Sequence, residues 1–253
     1  MPTVGEKIGL PFQDYIKAQR KNLESALKFE LFGATCPLMD KLYEVSIASV
    51  PKDKSPVFGQ FLLICHKSFL AAATLIGQAQ PDDAAPITRR AIEVVRLAAA
   101  MKADPAVAEE WVAYDKRMER WQARDEGETP KSLHIPIPAE HPLVKQLMDT
   151  WGIISDADVH FTPEYLHSLR WEKRDDKMFL QYFSGEQRTI ETAIIQLLGA
   201  HMMMLRVLDD CLERSFSRSE AWRSIHDQLY ARAKPWADKL ERTAVFEQTE
   251  LEP

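Results

Sequence analysis

The sequence predicts an all-α protein, one bundle of about eight helices with a long proline-rich loop and one short β-hairpin. Three observations predict it. Apolar residues recur at steps of three and four along most of the chain, the period of a helix with one buried face. Helix-opening signals recur as well: Ser55-Pro56, Asp104-Pro105, Thr162-Pro163, Ser184-x-x-Gln187 and Ser217-x-x-Glu220, each a cap with a proline or a capping box. Glycine numbers only nine in 253 residues, about half the ordinary share of roughly 7%, which disfavours folds built on tight turns.

A first amphipathic helix is expected over about 12 to 32, and a second over about 36 to 49, where Leu38, Leu42 and Val45 keep helical spacing. Ser55-Pro56 opens a long apolar helix to about 78, and QAQPDD breaks it. A fourth helix occupies the segment APITRRAIEVVRLAAAMKADP at 85 to 105, and Asp104-Pro105 starts a fifth. The prolines of DEGETPKSLHIPIPAEHP, about 125 to 142, forbid a regular helix there. A helix follows at about 142 to 155, then a short one from Thr162-Pro163. Aromatic and alternating residues in LRWEKRDDKMFLQYF, 169 to 183, predict a hairpin around Asp175-Asp176. The last two helices start at the capping boxes, one running to about 213, and residues from about 244 to 253 are expected to fray. All of this fits a single domain over 1–253.

Composition narrows the function classes. Hydrophobic residues are 45% and charged residues 28%, values of an ordinary globular chain that needs no disulfide or metal staple. A net charge of −6 and a pI near 5.7 carry no basic footprint, so nucleic acid is not an expected partner. Cys36, Cys65 and Cys211 form no C-x-x-C pair, and free thiols in a reducing, cytoplasmic setting are expected. The N-terminus has no apolar signal region. The longest apolar run, AIIQLLGAHMMMLRVL at 193 to 208, is broken by Gln196, His201 and Arg206 and reads as a core helix rather than a membrane span. No G-x-S-x-G, P-loop, G-x-G-x-x-G or H-E-x-x-H occurs, and no cofactor is indicated.

Four charges interrupt the fourth helix. At about 100° per residue, Arg89, Glu93 and Arg96 share one sector, a stripe facing solvent or a partner. Arg90 falls beside Val94, Leu97 and Met101, at the edge of the apolar face. Either Arg90 snorkels to water, or it pairs with Glu93 in a specified site. His66 and His201 sit among apolar residues on the two most hydrophobic helices. Each reads first as a satisfied core histidine; if their helices are neighbours, both would be able to join the Arg90 and Glu93 edge as binding residues.

The patch Asp156, Asp158, His160, Glu164 and His167 is the densest titratable cluster. Pro163 interrupts the helix that would align it, and Glu164-x-x-His167 has no second copy for a di-iron bundle. No metal centre is therefore expected, with His160, Glu164 and His167 the only weak candidates. Trp111, Tyr114, Met118 and Trp121 alternate with Lys116, Arg117, Arg120 and Arg124. Such a stripe would stack bases in a nucleic-acid binder, but a core stripe with a solvated back is favoured. Trp111 and Trp121 remain candidate binding residues.

Arg90 and Glu93, Asp104-Pro105, Trp111 and Val159-His160 come in an order that resembles uncharacterised bacterial all-helical proteins, over roughly 85 to 165. The resemblance implies an all-α fold and a polar cluster of Arg90, Glu93 and His160. Helical ribonuclease-like proteins of the HEPN type are the nearest functional comparison. Their arginine-to-histidine signature is missing here, since Arg218 is too far from His226 and Arg223 too near.

Two functions are expected to compete. The first is a cytoplasmic binding or regulatory module with a protein partner, a second copy or a small molecule as its ligand. The second is a hydrolase or nuclease-like enzyme in which Arg90 holds an anion while Glu93 or His160 moves protons.

Overall fold

The computed structural model describes residues 11–51, 56–122, 138, 141–154, 171–174, 177–180, 183 and 187–249. Among them are eight helices: α1 Phe12–Ala26, α2 Glu30–Ala48, α3 Pro56–Gly77, α4 Pro81–Ala103, α5 Pro105–Gln122, α6 Pro142–Ile154, α7 Gln187–Cys211 and α8 Glu220–Thr249. The fold is the all-α bundle that periodicity predicts. Strands β1 Trp171–Arg174 and β2 Lys177–Leu180 pair antiparallel, Trp171 opposite Leu180 and Arg174 opposite Lys177. This is the expected hairpin.

Helices α3, α4 and α7 form the centre, each packed on the other two. Alanines make the α3 and α4 pair the most extensive: Ala84, Ala91 and Ala98, seven residues apart on α4, and Ala72 and Ala73 on α3 are all buried, so the two backbones approach closely. α7 adds Ile194, Leu197, Leu198, Met204, Leu205 and Leu208. On one side α2 and α8 cover the centre, tied by the Trp222 Nε1–H donating to Ser46 Oγ at 2.9 Å. On another side α6 lies across α4 and α7, while α5 packs on α4. Helices α3 and α7 are long and apolar enough to cross a membrane, and 44% and 56% of their apolar windows are buried inside the bundle.

Several boundaries differ from those read in sequence. The single helix expected over 12 to 32 is split, because Phe29 is extended (φ −70°, ψ 130°) and α2 restarts at Glu30. Gly33 permits that turn: a Cβ there would lie 2.4 Å from the Leu27 carbonyl oxygen. α4 starts at Pro81 rather than near 85, with Asp82 and Asp83 in its first turn, where carboxylates suit the helix dipole. Ala79 takes the left-handed conformation (φ 65°) that stops α3. The last helix is capped by Ser219, whose Oγ accepts the Trp222 N–H at 3.5 Å, and not by Ser217. It continues to Thr249, into the stretch expected to fray. At Asp104 the predicted cap forms, Oδ1 accepting the Ala106 N–H at 3.0 Å. Most of the proline-rich loop, the Thr162-Pro163 helix and Ser184 lie outside the described residues.

Candidate functional site

The two core histidines meet, but not where the sequence pointed. α2 inserts Tyr43 between α3 and α7. Its hydroxyl lies 2.6 Å from His201 Nδ1, and its ring stacks on His66 at 5.1 Å between centroids. His66 Nε2 donates to Asp40 Oδ1 at 2.6 Å. Phe69 closes the group with its ring 5.4 Å from that of His201. Tyr43 and His201 are both 0% exposed. Burial, with the His66 imidazole beside it, pushes the His201 pKa down to about 3, so the ring is neutral at ordinary pH. Burial pushes Tyr43 well above its usual range. The pair is thus uncharged, and enclosure keeps it from acting on solvent. Asp40, 40% exposed at its side chain, is where the group reaches the surface. Asp40 and Tyr43 went unnoticed in sequence, although they stand three residues apart beside the Leu38, Leu42 and Val45 stripe.

Both histidines are the core residues that the sequence first suggests, and neither Arg90 nor Glu93 is among the partners of this group. Arg90 is exposed, not an intruder at the apolar edge. The sector it shares with exposed Asp83 and Pro86 is the outward one at this end of α4; the apolar Leu97 and Met101 that suggested otherwise lie further along, where the helix is covered. Of the stripe Arg89, Glu93 and Arg96, the first two meet helix α6. Trp151 Nε1–H donates to Glu93 Oε1 at 3.0 Å, and the Arg89 guanidinium lies 4.6 Å over the Trp151 ring, a cation–π arrangement. Arg89 Nε stands 3.6 Å from Glu93 Oε1. At the other end of the seam His141 Nε2 is 3.5 Å from Asp210 Oδ2.

A cleft of about 820 Å³ opens between α4, α6 and α7. Ala84, Leu197, Ala200 and Met203 supply apolar surface, and Thr88, Thr192, Gln196, Asp82 and Arg188 supply polar groups. Gly199 of α7 also lines it, and a Cβ at that position would meet nothing within 4 Å. Two hydroxyls are already committed: Thr88 Oγ1–H donates to the Ala84 carbonyl at 3.1 Å and Thr192 Oγ1–H to that of Arg188 at 2.9 Å. They offer a ligand only acceptor lone pairs.

Other candidates separate. Trp111 is half-buried against the core, and Tyr114 and Met118 are likewise half-buried on α5; the side chain of Trp121 lies outside the described residues, as do His160, Glu164 and His167. Among the described residues no group of three or more His, Cys, Asp or Glu is placed to hold a metal. The three cysteines are free, Cys65 and Cys211 buried, and burial pushes all three thiols up to about 12, which removes thiolate chemistry at neutral pH. No known protein family, curated protein or solved structure matches this chain.

Proposed function

We propose that the protein is a helical binding or regulatory module of the cytoplasm whose cleft between α4, α6 and α7 takes a small molecule. The observation that carries this reading is the cleft itself. Its volume of about 820 Å³ falls in the range of ligand sites, roughly 300–1,000 Å³, and it joins apolar surface to a few fixed polar groups. A mid-helix glycine costs stability of about 1 kcal/mol against alanine, yet Gly199 stands there with open space before it. Free thiols at Cys36, Cys65 and Cys211 support a reducing compartment.

Gly199→Phe fills the cleft without touching the core and tests the reading. A fragment library screened by ligand-observed NMR should give hits that compete with one another on the wild type and disappear in the variant, with circular dichroism and Tm preserved. Hits that bind both proteins equally, or no hits at all, would overturn it.

Self-association or a protein partner on α5 is the second reading. It is favoured by Val112, 44% exposed, beside the half-buried Trp111, Tyr114 and Met118, a surface of the adaptable kind found in interfaces. Light scattering that returns a monomer at all concentrations would remove the second copy as occupant. The hydrolase reading with Arg90, Glu93 and His160 draws less support, because Glu93 is engaged by Trp151 and Arg89 while Arg90 points outward.

A further inference from the structure

Helix α3 is apolar on its outward face as well as its inward one. In the 22 residues from Pro56 to Gly77 it carries one Lys, Arg, Asp or Glu, which is Lys67, and only 44% of its apolar window is buried inside the bundle. A helix that is apolar all round belongs in a core or a membrane. The outward face is made by Gln60, Leu63, Lys67, Leu70, Ala71 and Thr74, all exposed, with Leu63 at 47% and Leu70 at 42%. At 3.6 residues per turn these six share one sector about 100° wide.

The spacing along that sector is that of a helix seam. From Gln60 through Leu63, Lys67 and Leu70 to Thr74 the steps alternate between three and four residues, as the a and d positions of a coiled coil do. Leu63 and Leu70 stand at d, the position leucine takes in parallel two-stranded pairs, and Lys67 stands at a. A lysine at a single a position sets register and oligomer state at a cost in stability.

Charge on the two flanks points to a second copy as the occupant. Successive helical residues point about 100° apart, so His66 and Lys67 lie on opposite sides of the Leu63 and Leu70 line, each about 50° from it. On the His66 flank stands Asp40 of α2, whose Oδ1 accepts the His66 Nε2–H at 2.6 Å and whose side chain is 40% exposed. On the other flank Lys67 has no hydrogen bond or ion pair among the described residues. A two-fold axis parallel to α3 sets unlike flanks against each other at the same height. Lys67 of each copy then meets Asp40 of the other, with Leu63 on Leu63 and Leu70 on Leu70; an antiparallel pair would set Lys67 against Lys67. A lipid surface fits this face poorly, because Lys67 and Asp40 lie level with the middle of the helix, where charge is costly in hydrocarbon.

From these observations we infer that the outward face of α3 is a dimer interface, joining two copies of this chain in parallel through Leu63, Leu70 and reciprocal ion pairs of Lys67 with Asp40. It is independent of the cleft, and it uses a different surface from Trp111 and Val112 of α5.

Sedimentation equilibrium from about 1 μM to about 1 mM, the range of weak and small interfaces, should show a monomer–dimer equilibrium. Replacing both Leu63 and Leu70 by Asn should weaken the dimer about tenfold or more, whereas Val112→Asn on α5 leaves it within about twofold. These side chains are exposed, so circular dichroism and Tm should be preserved. Lys67→Glu should also weaken the dimer, since it sets carboxylate against carboxylate. Leu63→Cys should link two copies by a disulfide under mild oxidation, while the wild type, with Cys65 and Cys211 buried, stays unlinked. A monomer at every concentration, a dimer weakened by Val112→Asn and not by the leucine pair, or no link through Leu63→Cys would overturn the interface. Phosphatidylcholine vesicles that bind the wild type but not the leucine variant, with no dimer in solution, would overturn it in favour of a membrane.

Discussion

Tyr43 and His201 hold each other at 2.6 Å, hydroxyl to Nδ1, in a core where both side chains are fully enclosed. The bond satisfies one nitrogen of a histidine whose other nitrogen, Nε2, has no partner. Removing it leaves both ring nitrogens orphaned. Tyr43→Phe keeps the ring stack on His66 and Phe69 and loses only the hydroxyl, so unfolding in urea should show a loss of about 1–3 kcal/mol. His201→Leu removes the unpaired nitrogen as well. In the Tyr43→Phe background it should cost less than it does alone, and a double-mutant cycle reads that coupling.

Stability should fall with acid in a window set by His201. Its pKa is 6.5 when unperturbed and about 3 in the fold, so both states are neutral above pH 6.5 and the histidine then makes no demand. Below 6.5 the unfolded chain takes up a proton that the native state refuses. The native state therefore loses about 1.4 kcal/mol per pH unit from this group, until it too is protonated near pH 3. Urea midpoints followed from pH 7 to pH 5 should fall in the wild type and fall less in His201→Leu; parallel curves would contradict the assignment.

Gly199→Ala should stabilise the protein by about 0.5–1 kcal/mol. The residue is exposed within α7, and its added methyl meets nothing within 4 Å, leaving only the helix propensity gain. A lower Tm in this variant would show that the cleft is narrower than described.

Asp209 organises the chain after α7. Its carboxylate is buried, 5% exposed, and Oδ1 accepts the Phe216 N–H at 3.0 Å and that of Ser217 at 3.3 Å. Those bonds hold a turn in which Glu213 and Arg214 are both left-handed (φ 57° and 61°), and they seat Phe216 against Trp222. Asp209→Ala should cost about 1–3 kcal/mol by leaving two donors unpaired. Asp209→Asn, which keeps one acceptor, should cost less, and thermal unfolding of the two variants checks the order.

Local chemistry made much of this protein legible from its sequence. Proline and aspartate at 104–105 start a helix wherever they fall, and the alanine and leucine spacing of α3, α4 and α7 requires buried faces. The paired strands at 171–174 and 177–180 were visible for the same reason, since their alternating pattern is local. The all-α class, the core position of α7 and the enclosure of His201 all follow from periods of a few residues.

Tertiary structure alone decided which faces meet. Arg89 and Arg90 are adjacent, and a wheel cannot say which sector receives α6, a helix some fifty residues further along the chain; packing of Trp151 on Arg89 and Glu93 made Arg90 the outward one. Tyr43 and His201, Asp40 and His66 are joined across long separations in sequence, and no spacing rule encodes a pairing between different helices. Periodicity records that a residue is to be buried, whereas its partner is set by how the helices stack, and the cleft exists only once that stacking is complete.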